Sequence, residues 1–330
     1  MPKSLKITSW CAAIAVLLTL NWASVARAQG TWTPLDPVSC PSPVPCATEG
    51  MSVGGVGQVI IAAYGFSLID TNLTRLYNIS SNSWSLGAPA PLPFSSEQAY
   101  GETTHGGFLY VIGGRAGALP LSDLRRYDPV TNTWATLAPM PTARTGAAAA
   151  IQDDAIFVIG GRTATAGPCN GGPLSVVERY DIDTNTWSPV APLPGPARSD
   201  LAAVSHGGKI FVFGGCSGLF AVTGEVDMYD AQTNTWTTGL ATMPTPRASL
   251  VARKVGDTVF AIGGSTTGLD QVNVNESYKI SSDSWSTTPA AMPTPRSEAG
   301  VHSHGGRVYV VGGGNRGIST DAKEVFKPNP

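Results

Sequence analysis

Residues 127–134 read Tyr-Asp-Pro-Val-Thr-Asn-Thr-Trp, and close variants of this octapeptide recur along the chain. Its tryptophan belongs to a series spaced by 52, 50, 53, 49 and 49 residues: Trp32, Trp84, Trp134, Trp187, Trp236 and Trp285. A tyrosine stands seven residues before each tryptophan except the first. A period near fifty residues indicates a chain built from repeated supersecondary units. The repeat therefore predicts the fold more strongly than local secondary-structure propensity does.

Each repeat carries the signals of four strands. An alanine-rich stretch is followed by an apolar run that ends in Gly-Gly, as at residues 108–114, and the tyrosine and tryptophan segments come third and fourth. Continuous apolar character predicts a strand covered on both faces. Asp, Pro and Asn between tyrosine and tryptophan favour a hairpin turn.

The double glycine, Tyr-Asp and tryptophan recur together at nearly fixed offsets, and this pattern resembles the kelch repeat family. The resemblance covers residues 29–330, with Tyr64-Gly65 and Asn78 making the first repeat the poorest match. It implies an all-β, six-bladed propeller of kelch type with four antiparallel strands per blade.

The last repeat is incomplete, because Phe326 takes the tyrosine position and the chain ends at Pro330 before a tryptophan is due. Trp32, near the N-terminus, can supply the tryptophan that the last repeat lacks. We therefore predict that the N-terminal strand around Trp32 closes the last blade and leaves no open edge.

Residues 1–28 have the features of a secretory signal peptide. Lys3 and Lys6 precede an apolar stretch at residues 11–20, and Ala26-Arg27-Ala28 is a small-x-small cleavage site. We expect a secreted or periplasmic protein with a single propeller domain at residues 29–330.

Charge and hydropathy argue against binding to nucleic acid and against association with a membrane. Without its signal the chain has 18 basic and 23 acidic residues, so neither nucleic acid nor an anionic membrane is suggested. No later segment approaches 18 uninterrupted apolar residues, so no membrane span is expected.

Four cysteines remain after cleavage, and in an exported chain an even number favours disulfides. Cys40 and Cys46 are close in sequence, so a local bridge is the simplest choice, and Cys169 with Cys216 follows by elimination. Three connectivities are possible, and free thiols are the alternative.

The candidate ligand-binding face carries the loops between strands 2 and 3 and those between strand 4 and the next strand 1. We call it the loop face. An arginine stands 16 residues before the glycine pair in the last four repeats, where the first two repeats have Thr48 and Glu97. These arginines are Arg144, Arg198, Arg247 and Arg296.

Arg115 and Arg162, directly after their glycine pairs, can add to this face, and Glu97, Asp200 and Glu298 break its symmetry. The functional interpretation is an arginine-lined mouth that grips an anion. The alternative is that the arginine of each repeat is part of the scaffold. The 19-residue segment from Gly161 to Tyr180 is a candidate binding loop or a harmless insertion.

No cofactor or metal site is predicted. His105, His206 and His304 fall in equivalent turns of alternate repeats and cannot converge on one metal. His302 and His304 form a lone pair without a carboxylate. The Asp181-Ile182-Asp183 segment fails as a calcium loop at its sixth and twelfth positions.

The leading hypothesis is a monomeric, non-enzymatic recognition or scaffolding propeller that binds a protein, glycan or anionic small molecule at the loop face. Kelch propellers most often serve as interaction platforms, which the resemblance implies. The alternative is a carbohydrate-active enzyme similar to sialic acid mutarotases, with Glu97, Asp200 or Glu298 as acid/base group and one of the arginines holding the sugar carboxylate. A galactose-oxidase-like activity is disfavoured, because the tyrosines are placed on strand 3 and the histidines on turns away from the loop face.

Overall fold

The computed structural model describes residues 28–38, 48–67, 69–70, 72–91, 101–163, 169–218, 221–267, 270–315 and 318–329. The predicted signal sequence up to Arg27, the Cys40–Cys46 bridge, and Glu97 lie outside the described residues. Within them no helix is long and apolar enough to cross a membrane.

Almost all regular structure is β. The strands are β1 (Thr31–Pro34), β2 (Ser52–Val56), β3 (Val59–Ala63), β4 (Phe66–Ser67), β5 (Ile69–Asp70), β6 (Thr74–Asn78), β7 (Ser83–Leu86), β8 (Gly101–His105), β9 (Phe108–Ile112), β10 (Arg115–Ala116), β11 (Leu119–Pro120), β12 (Leu124–Asp128), β13 (Thr133–Leu137), β14 (Ala148–Gln152), β15 (Ala155–Ile159), β16 (Val177–Asp181), β17 (Thr186–Pro189), β18 (Ala202–His206), β19 (Lys209–Phe213), β20 (Val226–Asp230), β21 (Thr235–Thr237), β22 (Val251–Val255), β23 (Thr258–Ile262), β24 (Asn275–Lys279), β25 (Ser284–Ser286), β26 (Gly300–His304), β27 (Arg307–Val311), β28 (Gly314–Asn315), β29 (Ile318–Ser319) and β30 (Lys323–Lys327). One 3₁₀ turn at Ile280–Ser282 precedes β25.

The strands form six four-stranded antiparallel sheets, as the repeat predicts. Blades 1 to 5 are β2-β3-β6-β7, β8-β9-β12-β13, β14-β15-β16-β17, β18-β19-β20-β21 and β22-β23-β24-β25. Blade 6 is β26-β27-β30-β1, in which the first strand of the chain pairs with the last. Three further pairs, β4-β5, β10-β11 and β28-β29, are small hairpins in the loops between strands 2 and 3 of blades 1, 2 and 6.

The recurrent octapeptide ties neighbouring blades together. In blade 3, the Tyr180 hydroxyl donates to Asn185 Oδ1 at 2.7 Å, and the same oxygen accepts from the N–H of Ala138 in blade 2 at 2.9 Å. The Trp187 indole then donates to the Ala138 carbonyl at 2.8 Å. Blades 2, 4 and 5 repeat this clamp with Asn132, Asn234 and Asp283. The repeated octapeptide therefore forms contacts between neighbouring blades.

The glycine pair also serves the contact between blades. Gly214 of blade 4 has a φ of +62°, and a Cβ there would lie 2.5 Å from the carbonyl oxygen of Arg247 in blade 5. Because a side chain would collide with backbone, glycine is required at this close approach.

Blade 6 closes the ring as the sequence predicts. Trp32 on β1 lies opposite Phe326 on β30, with ring centroids 5.1 Å apart. Its indole donates to the carbonyl of Ala290 in blade 5 at 2.8 Å. Trp32 therefore performs in blade 6 the role that the other tryptophans perform in their own blades.

Lys323 is buried where blades 6 and 1 meet, with its amino nitrogen 3.2 Å from the centroid of the Tyr77 ring. Burial lowers the pKa of Lys323 to about 7, and Asp36 opposes part of that shift. The unfolded chain therefore binds more protons than the folded chain between about pH 7 and 10, and this residue makes stability rise with pH in that window.

Replacing Lys323 with methionine is expected to raise the free energy of unfolding by about 1–3 kcal/mol at pH 6, since a buried cation is exchanged for an apolar side chain of similar length. The gain should shrink at pH 10, where the lysine is neutral in the fold. Urea titrations at the two pH values measure this, with exposed Lys327→Met as the control. A variant no more stable than the parent at pH 6 would refute the prediction.

Candidate interaction site

The four repeated arginines lie inside their blades. Arg144, Arg198, Arg247 and Arg296 are at most 1% exposed. Each pairs with an acidic residue on strand 3 of its own blade, two positions before the tyrosine or phenylalanine that recurs on that strand. The pairs are Arg144–Glu178 (2.5 Å), Arg198–Asp227, Arg247–Glu276 (2.5 Å) and Arg296–Glu324 (2.9 Å).

This placement corrects the prediction that these arginines line an open mouth. Their guanidinium groups also donate to strand-2 carbonyls, as Arg247 does to Ala261 at 2.8 Å. Burial lowers the pKa of Arg247, while Glu276 beside it acts in the opposite direction and supports the charged form. Because each charge is neutralised within its blade, the arginines fit the scaffold alternative.

Blades 1 and 2 carry an arginine on strand 3 and none at the loop position. Where the other blades have an acid on strand 3, these blades have Arg75 and Arg125, and where the others have the loop arginine, they have Thr48 and Glu97. Arg75 donates to the Tyr64 carbonyl at 3.2 Å, and Arg125 donates to the Tyr64 hydroxyl at 2.7 Å. Every blade thus keeps an arginine in this layer, on one strand or the other.

Asp200 and Arg162 form a further buried pair that carries the blade 3 loop. The Arg162 guanidinium contacts both carboxylate oxygens of Asp200, which also accepts from the Ser199 hydroxyl at 2.7 Å and the Cys169 N–H at 3.0 Å. Cys169 and Cys216 are joined in a disulfide, as predicted. The carboxylate thus holds the end of the loop, and at 1% exposure it has no access to a substrate.

Asp200, Ser249 and Glu298 belong to a collar around the axis at the loop face, together with Gly50 and Gly146. All five have φ between +52° and +64°. Within the described residues, the backbone N–H of a collar residue donates to the carbonyl of the collar residue in the preceding blade. The Ser249 N–H, for example, donates to the Asp200 carbonyl at 2.7 Å. Glycine is the usual residue at such φ values. The side chains of Asp200, Ser249 and Glu298 are therefore departures from the repeat that are specific to blades 4, 5 and 6.

The predicted sugar-acid enzyme needs an arginine and an acid/base carboxyl that both reach a substrate. Asp200 and its arginine partner are buried against each other, and Glu298 is 7% exposed. Among the described residues, no arrangement of these side chains favours the enzymatic alternative.

The histidines in equivalent turns do lie apart. His105 Nε2 is 2.9 Å from Asp154 Oδ1, and His206 Nε2 is 3.6 Å from Asp257 Oδ1, in separate pairs between neighbouring blades. Within the described residues, the one cluster with metal-ligating atoms is Cys169, Asp200 and Cys216, and its two sulfurs are joined to each other.

Three hairpins lie on the loop face, and we call them the hairpin surface: β4-β5 of blade 1, β10-β11 of blade 2 and β28-β29 of blade 6. Blade 1 lies between the other two, and β29 contacts β4. Leu119 is 66% exposed and Ile318 is 73% exposed on the two flanking hairpins. Arg115, one of the predicted site residues, is half-buried at the base of the blade 2 hairpin.

The fold and these repeated contacts define a propeller of kelch type. A family profile described as KLHDC2/KLHL20/DRC7 Kelch-repeats domain matches residues 138–313, and one described as Kelch motif matches residues 103–141. The chain belongs to the kelch-repeat family, whose domains generally mediate protein–protein interactions.

Individual relatives match part of the chain. Kelch-like protein 25 of Homo sapiens is 36% identical over 147 residues, which are 43% of this chain and 25% of that protein. Kelch-like protein 40 of Mus musculus is 34% identical over 180 residues, or 52% of this chain and 27% of that protein. The chain thus aligns with about a quarter of the length of these relatives.

A solved structure titled "Structure of YjhT" superimposes with a TM-score of 0.73 at 16% sequence identity, covering 88% of this chain and 95% of that chain. At this level of identity the likeness concerns the fold alone.

Proposed function

We propose that this protein is an exported, non-enzymatic recognition propeller that binds a protein partner through the hairpin surface. The observation that carries the proposal is the exposure of Leu119 and Ile318 on hairpins at either side of blade 1. Exposed apolar side chains on the loops of a rigid scaffold are a feature of protein interaction sites.

The composition of the hairpins supports a protein partner over a glycan or an anionic small molecule. The arginines that would have gripped an anion on this face are neutralised inside the blades. The apolar residues remain, and a partner with exposed aliphatic or aromatic side chains would remove them from water at about 25 cal/mol per Å² of buried apolar area.

The predicted signal sequence at residues 1–28 supports the exported part of the proposal. Cleavage after Ala28 would leave Gln29 as the first residue, and Gln29 already donates its N–H to the Thr288 carbonyl at 2.7 Å. The fold is therefore compatible with that cleavage site.

Panning a random peptide display library against residues 29–330 tests the binding surface. We expect enrichment of peptides with clustered apolar residues, and the Leu119→Ser/Ile318→Ser double variant should bind them at least tenfold more weakly, because two apolar contacts are lost.

The matched control is Val130→Ser, since Val130 is 88% exposed in a turn between strands 3 and 4, on the opposite face. It should leave peptide affinity unchanged. Peptides that bind the double variant as well as the parent, or a library that yields no binder, would contradict the proposed surface.

A further inference from the structure

A second opening of the axial channel lies on the face opposite the hairpin surface, where a tight turn joins strand 1 of each blade to strand 2. A pocket of about 230 Å³ occupies it. Its lining includes Arg253 and Lys254 on β22, His302 on β26, Ser205 on β18 and Thr104 on β8.

The two cations are peculiar to blade 5. The other blades have Gly54, Thr103, Ala150, Val204 and His302 at the position of Arg253. At the position of Lys254 they have Gly55, Thr104, Ile151, Ser205 and Ser303. The scaffold does not need two adjacent cations on a strand that lines the axis, because five blades form without them.

Arg253, Ala149 and Ala203 line both this pocket and the next space along the channel. There the channel narrows to a space of about 30 Å³ lined mainly by alanine and other apolar side chains, which has room for about one water molecule. A ligand entering from this face would therefore stop with its inner end against the Arg253 side chain.

The remaining polar groups suit an anion. Ser205 Oγ is buried and has no hydrogen-bond partner in the described residues. Lys254 Nζ is 3.1 Å from His206 Nδ1, and His206 in turn lies 3.6 Å from Asp257, which also pairs with Lys279 at 3.1 Å. The Asp257 carboxylate therefore interacts with both His206 and Lys279.

His302 contributes a neutral ring to the pocket. Burial, with smaller contributions from the charges of Arg253 and His304, lowers the pKa of His302 to about 3, so the positive charge of the pocket comes from Arg253 and Lys254. The ring fits because residue 55 in blade 1 is glycine, where a Cβ would collide with His302 Nε2. The sequence of blade 1 therefore makes room for the imidazole at this end of the channel.

We propose that this pocket is a binding site for a small oxyanion, a phosphate or carboxylate compound of up to about eight non-hydrogen atoms, with Arg253 and Lys254 as the cationic donors and Ser205 as a hydroxyl donor. The site is on the opposite face from the hairpin surface, so its existence does not depend on the proposed partner.

Isothermal titration calorimetry of residues 29–330 with inorganic phosphate and, separately, with succinate tests the site and distinguishes the two oxyanion chemistries. One of the two probes is expected to bind with a stoichiometry of one. Arg253→Gln and Lys254→Gln should each weaken that binding by roughly tenfold or more, because each removes a charge-assisted hydrogen bond.

Arg307→Gln is the control, since Arg307 is an exposed residue at the same face and the change in net charge is identical. It should leave the affinity within about twofold of the parent. Melting curves without ligand establish that each variant is folded, and Ser205→Ala, which removes one hydroxyl and no charge, replaces any variant that is not.

Absence of binding by both probes at about 10 mM would overturn the proposal, and so would an equal loss of affinity in Arg307→Gln, which would indicate a diffuse electrostatic effect.

Discussion

Deleting residues 29–36 is expected to lower the melting temperature of the propeller by about 10 °C or more. All four residues of β1 pair with β30, and the Trp32 ring packs on Phe326 in the core between blades 5 and 6. Losing the partly buried Trp32 side chain costs a substantial share of a total stability of about 5–15 kcal/mol, and the deletion also removes the pairing of β1 and exposes the edge of β30.

Differential scanning calorimetry of residues 37–330 against residues 29–330 measures the effect. A synthetic peptide of residues 29–36 should restore part of the lost stability when added at excess, because it can occupy the vacant edge. A truncated protein that melts at the same temperature as the full propeller would show that β1 does not close the ring.

Replacing Arg247 with alanine is expected to reduce the free energy of unfolding by about 3–5 kcal/mol. Glu276 would then be a buried carboxylate without its cation, and that uncompensated charge is the source of the cost. Urea titration measures the loss. The Arg247→Met/Glu276→Gln double variant should recover much of it, since both charges are removed together.

Arg307→Ala is the matched control for the loss of an arginine at the surface, and it should change stability by less than about 0.5 kcal/mol. If Arg247→Ala is as stable as the parent, the guanidinium group does not support its blade, and a role in binding becomes the better explanation for the repeated arginines.

The fold was predictable because every repeat carries the same sequence signals for four strands and their turns. The spacing of tyrosine, asparagine and tryptophan gives four strands per blade, and the early end of the last repeat gives closure through Trp32. What the spacing did not show is why the octapeptide recurs, since the bond from the Trp187 indole to Ala138 crosses between blades and leaves no local sequence signal.

The candidate site was less predictable, because a loop arginine looks the same in sequence whether it faces solvent or a carboxylate. A signal was present nonetheless. Glu178, Asp227, Glu276 and Glu324 all stand two residues before the strand-3 aromatic, and blades that lack the loop arginine have Arg75 or Arg125 there instead. Reading the two positions together would have indicated a charge pair inside each blade.

The exposed hairpins and the cationic channel opening could not be obtained from the repeat, since both are departures from it. Leu119 and Ile318 lie in loops whose sequence differs from blade to blade, and the repeat does not indicate that their side chains are exposed. Arg253 and Lys254 look like ordinary strand residues until the six inner strands are arranged around one axis.

The central claim is that repeated residues support the ring and blade-specific residues provide recognition. Measuring melting temperature and affinity for the selected peptides side by side in Arg247→Ala and Leu119→Ser/Ile318→Ser tests it most directly. The predicted result is that the first variant loses stability but keeps its affinity while folded, and that the second keeps its stability but loses affinity. A stable Arg247→Ala protein that no longer binds the peptides would contradict the claim.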